Sequence, residues 1–256
     1  MNDAANLLIR VYGDSLSLPR ASGGIRYFET YPELLRDAIA SPRPDLRVAV
    51  YNRSKGGVPV TELYEQFVQD SAYFAPDGQG MLVVQCGVVD CAPRPVPPAT
   101  RARIARLPMP MRWLIARFLH YARPFLLRAG IKWQATGIDA FQSVLTRWLR
   151  AAQSQFARVY VINIAPTVES IEAHSPGLRH SIESYNDAIS AAVAAANSAA
   201  ISLVDVYAAI SKQPGGVSRY VNPADGHHIT HLGHRLYADM IYTREKERLD
   251  RSRTGC

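Results

Sequence analysis

Runs of apolar, β-branched residues alternate along this chain with stretches that carry apolar residues at helical spacing. The runs predict five strands, over residues 7–12, 46–51, 81–86, 159–164 and 200–206. Helices are predicted between them, over residues 31–40, 60–70, 140–156 and 178–199. Strands that alternate with helices favour an α/β protein. The pattern therefore predicts a three-layer α/β/α sandwich around a five-stranded parallel sheet with right-handed crossovers.

The end of the chain carries one more helical pattern. It begins near Thr230, whose hydroxyl can cap the first turn, and its apolar positions continue to Ile241. Residues 244–256 are charged and lack an apolar period. We therefore expect a single domain over residues 1–245 and a flexible tail over 246–256.

Three short polar or glycine-containing blocks directly follow predicted strands, at residues 13–15, 52–57 and 87–90. The carboxyl ends of parallel strands meet at one edge of an open sheet, where ligands bind. The order of elements therefore predicts that these blocks converge.

Ser15 stands in the first block, Gly13-Asp14-Ser15, at the end of a buried strand. A serine hydroxyl becomes a useful nucleophile when a base takes its proton and a carboxylate orients that base. His228 and Asp225 offer these groups on a loop before the last helix. The alternative is that Gly-Asp-Ser and Asp-Gly are ordinary turn sequences.

These blocks resemble those of the SGNH (GDSL-type) hydrolases over about residues 8–240. The resemblance implies a serine esterase with the catalytic residues Ser15, Asp225 and His228. It also implies an oxyanion hole made by the backbone N–H groups of Ser15 and Gly57, the latter in the block 52–57. No cofactor and no metal are expected for such an enzyme.

The block at residues 87–90 departs from that family at Val89, where an oxyanion-binding Asn is expected. Valine has no side-chain donor. Arg94 or Asn52 can supply a replacement donor, and Asp90 is a further candidate for substrate contact. An acyl transfer of modest rate, or a binding module without turnover, would also accommodate a valine at this position.

Four histidines near the C-terminus allow a rival interpretation as a metal site. His227, His228, His231 and His234 lie within eight residues, and imidazoles three or four apart on a helix can share a metal ion. The HExxH order is missing, and a helix cap at Thr230 would divide the group. We therefore expect no metal.

Residues 93–137 form a proline-rich and then basic insertion. Residues 101–150 hold ten basic residues against a single acidic one, whereas the whole chain has a formal charge of +7. Arginines alternate with Trp, Phe and Leu at 111–119 and 124–128, which predicts a pair of basic amphipathic helices. The favoured interpretation is a lid whose apolar face packs over the sheet edge. The alternatives are contact with an anionic membrane or a lipid-linked substrate through residues 101–134, and contact with nucleic acid, which is least favoured.

Cysteine usage and the N-terminus bear on the compartment. Cys86, Cys91 and Cys256 are an odd number without CxxC spacing, which argues against disulfides and structural zinc. The first residues lack the pattern of a secretory signal. We expect a cytoplasmic protein, peripheral to the membrane if the insertion binds lipid. Its expected substrate is a carbohydrate or glycan ester of a small acyl group such as acetyl, with a lipid or lipid-linked ester as the alternative.

Overall fold

The five strands form one parallel sheet in the computed structural model, which describes residues 6–73 and 80–254. Their order across the sheet is β2-β1-β3-β4-β5. The strands span β1 Asn6–Gly13, β2 Arg47–Asn52, β3 Met81–Gln85, β4 Arg158–Ile162 and β5 Ile201–Val204. The predicted architecture is therefore confirmed, and the strand ends differ from prediction by two residues at most.

Ten helices connect the strands or extend from them in the described part of the chain. They are α1 Tyr31–Ala40, α2 Val60–Tyr73, α3 Val88–Cys91, α4 Pro98–Ala105, α5 Met109–Arg128, α6 Ile138–Ala152, α7 Glu169–His174, α8 Leu178–Ala196, α9 Val206–Ser211 and α10 His231–Thr254.

Both faces of the sheet are covered by helices. All five residues of β3 are buried, because alternate side chains enter two separate cores. Leu82 and Val84 lie in the core under α2, α6 and α8, whereas Met81 and Val83 lie in the core under α1 and α10. These two cores fix the sheet, and with it the edge at which the three polar blocks end.

The last helix extends beyond the predicted boundary. Helix α10 runs to Thr254, so the described part of the expected tail, residues 246–254, is helical. A polar contact replaces the missing apolar period: Glu245 is fully buried and accepts a hydrogen bond from the Tyr160 hydroxyl at 2.8 Å. Its other oxygen lies 2.9 Å from Arg158 Nη1.

The insertion also differs from prediction. The two amphipathic segments at 111–119 and 124–128 belong to one helix, α5, which continues through Pro124, and its partner helix is α4. Leu127 is the one buried residue of α5, all of which the structure describes. The apolar face of this helix is therefore exposed and is not packed over the sheet edge as expected. Within the described residues, no helix has the length and apolar character needed to cross a membrane.

Candidate active site

Ser15 is held at the sheet edge by the turn that ends β1. Asp14 Oδ1 accepts a hydrogen bond from the Leu16 N–H at 2.9 Å and so caps the short 3₁₀ turn that contains Ser15. Gly13 is needed here because a Cβ atom would collide with Ser17 Oγ. The Gly-Asp-Ser block is thus a tight turn that fixes the serine.

The loop before α10 folds around the Asp225 carboxylate. Asp225 Oδ1 accepts hydrogen bonds from the backbone N–H groups of His227, at 3.2 Å, and His228, at 2.9 Å. Gly226 has a φ of +69°, and a Cβ atom there would collide with Ile171. A residue other than glycine would therefore disturb the loop that carries both candidate side chains.

Ser15, His228 and Asp225 meet although Ser15 and His228 lie 213 positions apart in the chain. Ser15 Oγ lies 3.0 Å from His228 Nε2, and His228 Nδ1 lies 3.1 Å from Asp225 Oδ2. Since a carboxylate only accepts hydrogen bonds, Nδ1 carries the ring proton and Nε2 is free to accept the serine proton.

The surroundings of this trio keep the imidazole neutral. Burial, and then the neighbouring His227, lower the pKa of His228 to about 4. Burial alone would raise the pKa of Asp225, but the backbone N–H groups of His228 and His227 outweigh it and lower that pKa below its ordinary value. At neutral pH the site therefore holds an uncharged base beside an ionised carboxylate.

Arg20 is a part of this site that sequence reasoning missed. Its Nη2 atom lies 3.0 Å from Asp225 Oδ2, the same oxygen that faces His228 Nδ1. The pair therefore helps to fix the oxygen that faces the imidazole. Arg20 lies five residues after Ser15, but nothing in its spacing marks it.

A cavity of about 590 Å³ opens beside Ser15. It is bordered by Gly56, Gly57, His227 and His228 near the serine. Its aliphatic lining consists of Val88, Val89, Ala92, Ile164, Ala165, Ile171, Leu178 and Ile182. The cavity therefore joins a polar reacting corner to an extended apolar wall.

The predicted oxyanion donors lie at the polar corner. Ser15 and Gly57 both border the cavity, and their backbone N–H groups have no hydrogen-bond partner among the described residues. Val89 also lines the cavity, so the departure from the family pattern falls within the site. Arg94 lines it too, with Nη2 donating to the Val89 carbonyl at 3.2 Å.

Asn52 and Asp90 are placed elsewhere. Asn52 donates to the Ser17 carbonyl at 2.7 Å and accepts from the Ser54 N–H at 3.0 Å. Asp90 is fully buried and accepts from the Val60 N–H, at the start of α2, with both oxygens. Neither residue is among the described residues that line the cavity. Both hold the loops around the site, and burial raises the pKa of Asp90 to about 6.

The histidine cluster does not assemble as a group of four. His234 is buried, and its Nδ1 accepts from the Tyr31 N–H at 3.1 Å, while His231 Nδ1 lies 3.9 Å from Glu29. One ligand atom each from Asp225, His227 and His228 would lie within 4.8 Å of one another, so these three can in principle hold a metal. Asp225 Oδ2 and His228 Nδ1 already pair with each other, so a metal bound through these atoms would compete with that pair.

Two further cavity residues were missed, Arg123 and His174. Arg123 comes from the insertion, where the sequence offers many arginines and no signal that separates one from another. His174 lies at the end of α7, a helix of six residues that was not predicted.

Comparison with known proteins supports the architecture. No protein-family model matches this chain, and no curated protein matches it. Solved structures do match this chain.

A lipase/acylhydrolase from Enterococcus faecalis superposes with a TM-score of 0.62 at 16% identity, over 94% of this chain and 96% of that one. An acetylxylan esterase from Geobacillus stearothermophilus gives a TM-score of 0.58 at 14% identity, over 94% of each chain. A member of the lipolytic G-D-S-L family from Veillonella parvula gives 0.57 at 16% identity, over 91% and 95%. The chain has the fold of the SGNH hydrolases.

Proposed function

We propose that this protein with the SGNH hydrolase fold is a serine ester hydrolase. The observation that carries the proposal is the line of contacts from Ser15 Oγ to His228 Nε2 and from His228 Nδ1 to Asp225 Oδ2, at 3.0 and 3.1 Å, beside a cavity. A nucleophile, a base of lowered pKa and an orienting carboxylate are the groups that acyl transfer requires.

The reaction follows from that arrangement. Ser15 Oγ bonds to the ester carbonyl carbon while its proton moves to His228 Nε2. The ester C–O bond then breaks, and the leaving alcohol takes the proton from the imidazolium, which Asp225 stabilises. Water attacks the acyl-serine with His228 again as base, which releases the carboxylic acid and restores Ser15.

The developing oxyanion needs donors in fixed positions. The unpartnered N–H groups of Ser15 and Gly57 supply two, and the side chain of Val89 supplies none. Loss of one oxyanion donor typically costs about 10²–10³ in turnover. The proposed enzyme is therefore slow unless Arg94, which also lines the cavity, contributes.

The cavity wall bears on the acyl group. Its aliphatic lining suits an acyl chain of several carbons, each buried CH₂ contributing about 0.8 kcal/mol. No Phe, Tyr or Trp is among the described residues that line it, so only the imidazoles of His174, His227 and His228 could stack on a sugar ring there. Removal of acetyl from a carbohydrate, as expected from the sequence, stays a prediction that a chain-length series decides.

A lipid-linked ester is the second candidate, and the exposed face of α5 favours it. Leu114, Phe118, Tyr121 and Phe125 follow one another at helical spacing and are each more than 60% exposed. Ten basic residues in residues 101–150 give this region the charge that anionic lipid attracts. We propose that this face lies on an anionic membrane and brings the cavity to its substrate.

The decisive experiment is hydrolysis of p-nitrophenyl esters from acetate to decanoate by the wild type and by Ser15→Ala and His228→Gln. Turnover should fall about 10³-fold or more in both variants. An optimum beyond acetate supports the longer acyl chain, and an optimum at acetate supports the carbohydrate ester.

His231→Gln is the matched control, because it removes a histidine from the same segment that does not line the cavity. It should retain wild-type turnover. Hydrolysis that survives Ser15→Ala would rule out serine catalysis. A wild type that binds these esters without cleaving them would identify a binding module.

A further inference from the structure

A second cavity, of about 430 Å³, adjoins the first one under the insertion. Arg94, Arg123 and His174 line both cavities. The second is completed mainly by α4 and α5, and its polar lining consists of Arg94, Arg101, Arg112, Arg123, His120 and His174. A molecule held at Ser15 can therefore extend into a space surrounded by four guanidinium groups.

Helix α5 is built to produce this wall. Arg112, Ala116, Leu119 and Arg123 line the second cavity at spacings of four, three and four residues. The exposed row Leu114, Phe118, Tyr121 and Phe125 has the same spacing, shifted by two residues. Two positions turn a helix by roughly 200°, so the two rows lie on opposite faces. The arginine face points to the cavity and the apolar face points away from it.

The arginines of this cavity form no ion pair among the described residues. Residues 93–137 contain no Asp or Glu, and the one carboxylate that acts on these arginines is that of Asp90, which influences Arg94 from beyond ion-pair distance. Arg123 donates to the Ser175 hydroxyl and the Pro93 carbonyl, at 2.8 and 2.7 Å, which fixes its position without neutralising it. Burial, and then repulsion by Arg101, lowers the pKa of Arg123. Burial and mutual repulsion therefore disfavour the charged form of these arginines, and a bound anion would offset both effects.

We propose that the second cavity is an anion subsite that binds a phosphate group of the ester substrate. A single carboxylate would leave most of this positive charge uncompensated, whereas a phosphate carries up to two charges and offers several oxygens to guanidinium forks. The substrate class that follows is an acyl ester of a phosphorylated alcohol. This assignment rests on the proposed ester hydrolysis, while anion binding itself does not.

Binding of pyrophosphate tests the subsite without turnover. Isothermal titration calorimetry at low salt, on the wild type and on Ser15→Ala, should show binding of similar affinity. The double variant Arg101→Gln/Arg112→Gln should weaken it at least tenfold. Thermal unfolding curves check that each variant is folded.

The matched control is Arg103→Gln/Arg106→Gln, which removes the same charge from the same insertion; these residues are exposed, as Arg101 and Arg112 are, but do not line the cavity. It should bind pyrophosphate as the wild type does. Equal weakening in both double variants, or no binding by the wild type, would overturn the subsite. So would an oligonucleotide that binds more tightly than pyrophosphate and is lost equally in both variants, because that result would indicate general surface charge.

Hydrolysis then separates the subsite from the proposed function. The ratio of kcat/KM for a phosphate-bearing ester to that for its uncharged analogue should exceed ten and fall at least tenfold in Arg101→Gln/Arg112→Gln. A ratio near one, unchanged in that variant, would overturn the substrate class. Pyrophosphate binding with no hydrolysis of any ester would overturn the proposed function and leave the anion site standing.

The source of the phosphate is distinguished by two substrate arms. One arm uses a soluble acylated sugar phosphate, and the other a phosphate-bearing acyl lipid in neutral vesicles. A preference for the phosphorylated ester over its uncharged analogue in either arm supports the subsite, and the arm with the larger kcat/KM identifies the source. No preference in both arms overturns it.

Discussion

Helices α5 and α6 follow each other in the chain and have similar apolar spacing, yet their apolar faces meet different surroundings. Phe141, Leu145, Trp148 and Ala152 of α6 are fully buried against the sheet. Leu114, Phe118, Tyr121 and Phe125 of α5 occupy equivalent intervals and are exposed. Periodicity therefore predicts a helix and one apolar face, but does not predict what covers that face.

The largest expected effect is a difference in the free energy of unfolding between a substitution on the buried face of α6 and one on the exposed face of α5. Trp148→Ala should destabilise the protein by about 3–5 kcal/mol, because it leaves a cavity among Tyr12, Phe67 and Tyr64. Phe118→Ala, on the exposed face, should change stability by less than about 0.5 kcal/mol. Urea unfolding measures both. A comparable loss in the two variants would show that α5 is covered in solution and would break the comparison.

The next effect concerns membrane contact. Leu114→Ser/Phe118→Ser should weaken binding to anionic vesicles by roughly tenfold or more per residue, since each buried apolar side chain contributes about 1.5–3 kcal/mol. Flotation with phosphatidylserine vesicles measures it, and high salt should weaken wild-type binding by screening the arginines. A wild type that stays in the aqueous fraction at low salt would exclude the membrane proposal.

A smaller effect is expected at Arg20, which belongs to the sheet-edge site and not to the insertion. Its partly exposed pair with Asp225 should contribute about 0.2–1 kcal/mol, or up to roughly fivefold in kcat. Arg20→Gln should also raise the pKa of His228, because Arg20 is one of the charges that lower it. Arg20→Lys should restore part of both properties. Unchanged kcat and an unchanged pH profile in Arg20→Gln would remove Arg20 from the positioning role.

The smallest effect is a shift in pH dependence. Catalysis needs His228 neutral, so kcat/KM should hold at neutral pH and fall as the pH approaches about 4. His227→Gln removes the neighbour that, after burial, does most to lower this pKa, so the acid limb should move to higher pH. Arg112→Gln, in the insertion, should leave the limb in place. If the acid limb moved equally in His227→Gln and Arg112→Gln, the insertion would influence the pKa of His228 as strongly as the sheet-edge site does, which would contradict this prediction.

The sheet was predictable because each of its strands is locally marked. Every residue of β3 is buried and all but Gln85 are apolar, since both faces of the sheet are covered. Gly13 and Gly226 mark the two turns that carry the candidate residues. Ser15, Asp225 and His228 follow from residue types whose chemistry is specific. The distances between these three side chains could be known only from the structure.

The parts of the site that were not predictable depend on long-range partners. In the sequence Arg20 is indistinguishable from other loop arginines, and only the structure shows that it contacts Asp225. Asn52 and Asp90 resemble substrate contacts in the sequence, but in the structure they bind backbone groups. The arginine-lined second cavity could not be predicted because it depends on how α5 is rotated about its axis relative to the sheet. The sequence specifies that the helix has two faces, but tertiary packing decides which one turns inward.

The burial of Glu245 has a consequence for where this chain can be shortened. Its carboxylate joins α10 to β4 through Tyr160 and Arg158. A version that stopped before residue 245 would lose that anchor, because it would remove the carboxylate that contacts both the Tyr160 hydroxyl and Arg158. The C-terminal limit of an expressible fragment therefore lies beyond the point at which hydrophobic patterning ceases.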